Sequence, residues 1–207
     1  MPAPATDIPA GTAMADYHEA ILDRFREAGA LLEGHFLLSS GRHSPVYLQC
    51  ALLLQHPDLA GDLCGRLARA FADDRVATVL APAIGGIVVA HEVARALGVR
   101  AVFAEREKGR MTLRRGFALA RGERVLLVED VVTTGGSLRE VQQLAEEAGA
   151  EVVAVAALVD RTGGTDPGFG GMPLTALVRV EAPTYVPEDC LQCREGLPLV
   201  KPGSRNI

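Results

Sequence analysis

Short apolar runs alternate with amphipathic segments along this chain of 207 residues. The runs at 76–81, 124–129 and 151–159 are rich in β-branched residues and largely apolar on both faces of a strand. The segments between them carry apolar residues at helical spacing. Strands that are buried on both faces and separated by helices form parallel sheets covered by helices. The sequence therefore predicts an α/β fold.

Other segments are expected to surround this sheet. A helix is predicted at 16–30, followed by a hairpin-like pair of strands around the Ser-Ser-Gly turn at 39–41. Further helices are predicted at 57–73, from the glycine pair at 85–86 to about 97, and at 137–148, with a last strand at 174–180. We expect a flexible tail at 1–15 and one domain at 16–207. Its core would span about 57–160, and a small hood would come from 16–56 and 161–207.

Composition excludes several classes of protein. Hydrophobic residues make up 48% and charged residues 23%, which excludes a disordered chain, a collagen and a coiled coil. The net charge is −5 and there is no Trp, so we expect no nucleic-acid partner. No apolar run reaches the length of about 18 residues that a membrane helix needs, and the N-terminus does not resemble a secretory signal. These features predict a cytoplasmic protein with no membrane partner.

The strongest functional signal is the segment at 125–141, where a buried strand leads through a short loop into a helix. The strand ends in two adjacent acids, Glu129 and Asp130, and the loop at 133–137 reads Thr-Thr-Gly-Gly-Ser. The free N–H groups of a helix start, the hydroxyls and the close approach that glycine allows all suit a phosphate. The two carboxylates suit vicinal sugar hydroxyls, because they accept hydrogen bonds. Together these features favour a ribose 5-phosphate group.

An ordinary strand-to-helix turn with a Ser cap would explain the loop by itself. It would not explain two acids placed directly at the end of a buried strand. The loop has neither the GxxxxGK[ST] pattern nor the GxGxxG pattern, so the common nucleotide-binding loops are not indicated.

The same segment resembles the phosphoribosyl-diphosphate motif of the type I phosphoribosyltransferases. Three further segments resemble the orotate phosphoribosyltransferases in particular. Their N-terminal Ser-Gly segment is similar to residues 36–48, FLLSSGRHSPVYL. Their mobile loop is similar to residues 104–117, AEREKGRMTLRRGF, and their strand-end Asp-Arg is similar to residues 158–161, LVDR. The resemblance implies a type I phosphoribosyltransferase fold, with a parallel sheet flanked by helices and a small hood.

The resemblance also implies an activity, the transfer of ribose 5-phosphate from phosphoribosyl diphosphate to orotate on the route to UMP. Mg²⁺ would be required and carried mainly by the substrate, with no side chain ligating it directly. Orotate would contact Thr133 and Arg161, because a guanidinium suits a carboxylate. The catalytic residues would be Glu129, Asp130 and Lys108. The residues implied for phosphoribosyl diphosphate are Glu129, Asp130, Val131, Val132, Thr133, Thr134, Gly135, Gly136, Ser137, Arg106, Lys108 and Arg110.

A charged loop is predicted at 105–115. It carries five basic side chains (Arg106, Lys108, Arg110, Arg114 and Arg115) and two acidic ones (Glu105 and Glu107). A basic lid would stabilise departing pyrophosphate and exclude water, whereas a solvated charged loop is the alternative. In the family this loop serves the neighbouring subunit, which implies a homodimer.

The chain departs from the family pattern at several basic positions. Ser39 and Glu107 stand where many members have lysine, and Thr112 stands where they have histidine. Ile84 and Gly85 replace a Tyr-Lys pair. Catalysis by a histidine of the loop is therefore not expected.

The cysteines give a weaker signal. Cys190 and Cys193 form a CxxC pair in a proline-rich tail, whereas Cys50 and Cys64 have apolar neighbours in the sequence. Zinc usually needs four ligands, and the sequence offers no second close pair. A redox CxxC normally begins a helix of a thioredoxin-like unit. The histidines show no ligand spacing and are interpreted as ordinary polar residues, with His43 alone expected near the site; they are His18, His35, His43, His56 and His91.

Two other functions remain open from the sequence. A purine-type phosphoribosyltransferase would share the phosphate loop, but the basic loop and Arg161 favour an acidic pyrimidine. A regulator that senses phosphoribosyl diphosphate without turnover would need a basic nucleic-acid-binding face or an extra domain. A net-negative chain of this length has no evident room for one.

Overall fold

The computed structural model describes residues 12–38 and 40–202. In chain order its elements are α1 (Thr12–Glu27), β1 (Leu31–Leu37), β2 (His43–Leu48), α2 (Cys50–Leu54), α3 (Pro57–Arg69), β3 (Thr78–Pro82), α4 (Gly86–Leu97), β4 (Arg100–Glu107), β5 (Arg110–Leu113), β6 (Arg124–Val132), α5 (Gly136–Glu147), β7 (Glu151–Asp160), β8 (Leu174–Arg179), a 3-10 turn (Pro187–Asp189) and α6 (Leu191–Arg194). No helix in this described part is long and apolar enough to cross a membrane.

Six strands form the main sheet in the order β5-β4-β3-β6-β7-β8. Every neighbouring pair is parallel except β4 and β5. Alternate residues of β6 face opposite layers of helices. Leu126 and Val128 pack in the core cluster that includes α3 and α4, whereas Val125 and Leu127 pack in the cluster that includes α5. Burial on both faces confirms the predicted α/β fold.

The predicted charged loop at 105–115 is instead a β-hairpin. β4 extends to Glu107, and β5 pairs with it in antiparallel register, with Glu107 opposite Arg110. Lys108 and Gly109 form the turn with φ of 49° and 85°, which is the backbone that tight hairpins use. Met111 and Leu113 pack against the second core cluster. The density of charge in this segment conceals the alternation of a strand.

Several boundaries also differ from the sequence prediction. α1 begins at Thr12, so the predicted tail at 1–15 overlaps a helix, while residues 1–11 and Ser39 lie outside the described residues. The apolar run after β2 is the short helix α2 rather than strand, and α3 ends at Arg69 rather than near residue 73. β6 continues beyond Glu129 to Val132, because its last residues still pair with β7.

β1 and β2 form a separate two-stranded sheet, which is the core of the hood. The C-terminal segment joins this sheet through two bridges, between Phe36 and Val200 and between His43 and Tyr185. The prediction assigned all of 161–207 to the hood, but β8 belongs to the main sheet. Its Leu177 and Val178 are buried in the same core cluster as Phe25 of α1, which explains the placement.

Candidate active site

Parallel strands of the main sheet bring their carboxyl ends to one edge, where ligands of open α/β sheets bind. β6 ends there with the segment that contains Glu129 and Asp130. β7 ends beside it, with Asp160 paired to Val132. The next residue, Arg161, donates its backbone N–H to the Val132 carbonyl at 2.8 Å. Residues from separate segments of the chain therefore lie together at this edge.

The two acids at the end of β6 are half-buried. Burial and the negative charge of Asp130 raise the pKa of Glu129 to about 8. Burial also raises the pKa of Asp130, although its carboxylate accepts a hydrogen bond from the Val131 N–H at 3.0 Å. Glu129 is thus largely protonated at neutral pH in the free protein. A neutral carboxyl donates one hydrogen bond and accepts others, so the pair can both donate hydrogen bonds to sugar hydroxyls and accept hydrogen bonds from them.

The loop after β3 lies directly against these acids. A Cβ atom on Gly85 would lie 2.8 Å from both carboxylate oxygens of Asp130, so a larger residue would force this carboxylate or the loop to move. A Cβ on Gly86, where α4 begins, would lie 2.8 Å from the Cβ of Ala81. The loop and the Asp130 carboxylate are close enough to contact the same ligand.

The loop between β6 and α5 has the geometry of an anion site. Thr133 and Thr134 are exposed, and Gly135 has the left-handed φ of 73°. Gly135 has no side chain to cap α5, so the N–H groups of its first turn are available to a ligand. Val132, by contrast, is buried in the core, so it can offer a ligand only its backbone.

A second loop supports the phosphate loop from behind. Arg139, one turn into α5, donates Nη1 to the Thr134 carbonyl at 2.6 Å and also to the Pro167 carbonyl. A Cβ on Gly135 would lie 2.8 Å from the Cβ of Pro167 and 3.0 Å from the Phe169 ring. The sequence motifs did not predict this support. An arginine one turn after the loop was the available signal, but its partner lies about 30 residues further along the chain.

The guanidinium of Arg161 is partly buried, and no carboxylate among the described residues forms an ion pair with it. Its Nε is buried and has no hydrogen-bond partner among the described residues, and burial lowers its pKa. The turn around it is fixed by Asp160, which accepts hydrogen bonds from the Thr162 N–H at 2.8 Å and from Arg179 Nε at 2.9 Å. Burial alone would raise the pKa of Asp160, but these hydrogen bonds lower it. Because a buried donor without an acceptor is costly, the position favours an anionic ligand at Arg161.

The basic side chains of the hairpin are partly engaged within the chain. Arg106 forms a bidentate pair with Glu140 of α5 at 2.8 and 2.9 Å, and Arg115 pairs with Glu105 at 2.8 and 2.9 Å. Within the described residues, Lys108 and Arg110 form no ion pair. The hairpin therefore presents Lys108 at its tip as a free cation, whereas Arg106 must leave Glu140 before it can bind a substrate.

Comparisons with known proteins identify the family. Residues 53–168 match the phosphoribosyl transferase domain model. The orotate phosphoribosyltransferase of Pelotomaculum thermopropionicum is 54% identical, over 91% of this chain and 98% of that protein. The chain belongs to the orotate phosphoribosyltransferase family. The family's protein from Caldicellulosiruptor bescii is 53% identical over 90% of this chain and 97% of its own.

Solved structures agree with this family. The orotate phosphoribosyltransferase from Aeropyrum pernix has a TM-score of 0.66 and 27% identity, over 77% of this chain and 93% of that chain. The type I phosphoribosyltransferase fold that the sequence predicted is therefore confirmed. The structure adds one positioning residue that the motifs did not indicate, Arg139. It also shows how Gly85 and Asp160, which lie in segments that the sequence singled out, shape the site.

We expect Gly135→Ala to destabilise the protein by about 2–4 kcal/mol, because it combines a left-handed backbone with overpacking against Pro167. Denaturant unfolding measures the loss. Gly65→Ala on α3 is the matched control, since nothing lies within 4 Å of its added Cβ. Alanine should stabilise that helix by about 0.5–1 kcal/mol. Equal stabilities of the two variants would contradict the loop conformation described here.

The raised pKa of Glu129 predicts a pH dependence of stability. Folded protein retains a proton on this carboxyl up to about pH 8, whereas the unfolded chain releases it near pH 4.5, so the free energy of unfolding falls as pH rises between these values. The contribution approaches 1.4 kcal/mol per pH unit, about one proton. Glu129→Gln should therefore show a shallower pH dependence in urea unfolding.

The exposed carboxylate of Glu27 on α1 provides the control for that series. Glu27→Gln should keep the wild-type slope between about pH 5 and 8, because it leaves the Glu129 proton in place. If Glu129→Gln and wild type had the same slope, Glu129 would not hold a proton in the folded protein.

Proposed function

We propose that this chain transfers ribose 5-phosphate from phosphoribosyl diphosphate to orotate, releasing orotidine 5′-phosphate and pyrophosphate. The observation that carries the proposal is the unpartnered, buried Nε of Arg161 at the same sheet edge as Glu129 and Asp130. A ligand with a carboxylate, sugar hydroxyls and a phosphate would provide hydrogen-bond partners for the polar groups at that edge. Orotate and phosphoribosyl diphosphate together supply these groups, and the names of the curated relatives support the same reaction.

The sugar phosphate would bind on β6 and α5. The 5′-phosphate would accept hydrogen bonds from the N–H groups at the start of α5 and from the exposed hydroxyls of Thr133 and Thr134. Glu129 and Asp130 would bind the 2′ and 3′ hydroxyls. As the bond to the diphosphate lengthens, the ribose ring becomes positive, and negative charge on the two carboxyl groups would stabilise it. The positive ring also favours the ionised form of Glu129.

Orotate would be oriented by Arg161. Its carboxylate would accept hydrogen bonds from the guanidinium, and Thr133 would contact the pyrimidine. The ring nitrogen would then be directed at the ribose carbon, and orotate reacts as its anion, so little general-base assistance is needed. A purine has no carboxylate and would leave the Arg161 donors unpartnered, which makes the purine-type alternative less favourable.

The donor set fits Mg²⁺ carried by the substrate. Mg²⁺ prefers oxygen ligands and is commonly held by one or two carboxylates together with substrate phosphates. Among the described residues, no third possible metal ligand lies close enough to Glu129 and Asp130 to form a metal-binding cluster with them. The protein alone therefore does not enclose a metal ion here. When bound, Mg²⁺ would neutralise charge on the departing diphosphate. The chain's own contribution is to bind and orient the ribose.

The β4–β5 hairpin would meet the diphosphate. Ala104 pairs with Pro82, the last residue of β3. Glu107 follows Ala104 by three residues and therefore extends about 10 Å beyond the end of β3. Lys108 and Arg110 would contact the diphosphate there, and Arg106 would do so after leaving Glu140. Our proposal includes a homodimer in which the hairpin serves the neighbouring subunit.

The direct test is the loss of orotate absorbance when purified protein is mixed with phosphoribosyl diphosphate and Mg²⁺, with each component omitted in turn. We expect turnover that needs all three, none with adenine in place of orotate, and a severe loss in Asp130→Asn. Calorimetric binding of phosphoribosyl diphosphate without turnover would contradict the proposal and favour a sensor. Turnover with adenine alone would favour a purine-type enzyme.

Arg161→Met should raise KM for orotate by about 30-fold, corresponding to about 2 kcal/mol for a charged hydrogen bond. KM for phosphoribosyl diphosphate should change little, because Arg161 is assigned to the other substrate. Steady-state kinetics with each substrate varied provide both values. Arg121→Met is the control, since this exposed arginine precedes β6 at the opposite edge of the sheet. Equal effects on both KM values would remove Arg161 from orotate binding.

Lys108→Ala should lower kcat by roughly 10- to 100-fold, with a smaller change in KM for phosphoribosyl diphosphate, if Lys108 acts mainly on departing pyrophosphate. Lys201→Ala replaces the only other lysine and should retain kcat. An unchanged kcat in Lys108→Ala would exclude the residue from the mechanism.

A further inference from the structure

Four possible metal ligands converge in the hood, outside the catalytic edge. They are His35 on β1, His43 at the start of β2, and Cys190 and Cys193 around α6. One ligand atom from each lies within 4.8 Å of all the others. The sequence offers no second close pair of cysteines, but the fold brings two histidines to Cys190 and Cys193. The sequence conceals the site because its two halves lie about 150 residues apart, and the hairpin register, not a helical spacing, brings His35 beside His43.

The distances between these atoms match a tetrahedral zinc centre. Zn–N of about 2.05 Å and Zn–S of about 2.3 Å imply N···N near 3.3 Å and N···S near 3.6 Å around a tetrahedron. His35 Nε2 lies 3.0 Å from His43 Nδ1 and 3.4 Å from Cys190 Sγ. Cys193 Sγ lies 3.6 Å from His35 Nε2 and 3.2 Å from His43 Nδ1. The four atoms can thus surround one ion with small adjustments.

Hydrogen bonds alone do not explain this arrangement. Nδ1 of His35 lies 2.9 Å from the Leu197 carbonyl, which can only accept, so this nitrogen carries the proton. Nε2 then has a single lone pair, yet His43, Cys190 and Cys193 all converge on it. One lone pair cannot satisfy three neighbours, whereas a central cation can be shared by all four residues. A carbonyl that fixes the second ring nitrogen is also the usual support of a metal-bound histidine.

We propose that His35, His43, Cys190 and Cys193 bind one structural Zn²⁺ ion. Four protein ligands leave no open position, which is typical of structural rather than catalytic zinc. Two thiolates and two imidazoles select zinc over Mg²⁺, which prefers oxygen ligands. The site is therefore separate in chemistry from the Mg²⁺ of the proposed reaction, and it does not rest on that reaction.

The ion would fasten the C-terminal segment to the hood. Among the described residues from 181 to 202, Cys190 is the one apolar side chain that is buried, so the segment has almost no core of its own. Backbone hydrogen bonds hold it, from Val200 to His35 at 2.8 Å and between Tyr185 and His43 at 2.9 Å. These bonds flank the two histidines. The zinc ion would supply the cross-link that this segment lacks in apolar contacts.

Elemental analysis of the full-length protein, purified without chelator, tests the proposal. We expect about one zinc per chain in wild type and roughly a tenth of that in Cys193→Ser and His43→Gln. Cys64→Ala and His91→Gln are the matched controls and should retain the metal, because neither residue is in the cluster. Chelation should lower the Tm of wild type by at least about 5 °C and leave the Tm of Cys193→Ser unchanged.

Cobalt substitution of wild type keeps the test decisive if a variant fails to fold. Apo protein titrated with Co²⁺ should develop thiolate charge-transfer absorption and the visible bands of a tetrahedral ion, with an endpoint near one equivalent. Wild type that contains no zinc and shows no such bands would overturn the proposal. Metal retained in Cys193→Ser would overturn the assigned ligands. A Cys190–Cys193 disulfide in protein prepared anaerobically, seen as a mass lower by two hydrogens, would also overturn it.

Discussion

Burial of the main sheet on both faces decides where this protein can place polar chemistry. Leu126 and Val128 occupy one apolar layer, and Val125 and Leu127 occupy the other, so the middle of β6 has no side facing water. A polar group left unpaired in such a layer costs about 1–3 kcal/mol. Within the main sheet, ligand-binding groups are therefore expected on the residues that leave the core, as at the carboxyl ends of the strands.

The same burial shapes the charges at that edge. It raises the pKa values of Glu129 and Asp130 and lowers that of Arg161, so both kinds of group are disfavoured in their charged forms. Charge at this edge is therefore incompletely compensated by the part of the chain that the structure describes. A substrate that carries complementary charges gains binding energy by pairing with these groups. A ligand without such charges leaves the groups unpaired and binds more weakly. Selectivity at such a site comes from the unpaired charged and polar groups of the protein as much as from the shape of the site.

The sequence predicted the fold where local pattern and tertiary burial agree. The strands β3, β6, β7 and β8 follow from apolar runs. The phosphate loop follows from a strand, two acids and a glycine turn. The hairpin at 105–115 was missed because charge obscured its alternation. Contacts such as Arg139 with Pro167 join segments far apart in the sequence, so no local pattern indicates them. The histidine–cysteine cluster was missed for the same reason, since each half alone is uninformative.

The hood is built from both ends of the chain, and this order has a consequence for biosynthesis. His35 and His43 leave the ribosome early, but Tyr185 and Val200, which pair with this hairpin, are made last. α1 likewise packs on a core that includes β8, the final strand of the main sheet. The edges of the β1–β2 hairpin therefore remain unpaired until nearly the whole polypeptide has been translated. A nascent chain halted before residue 185 would contain all the strands of the main sheet but would lack the C-terminal segment that completes the hood.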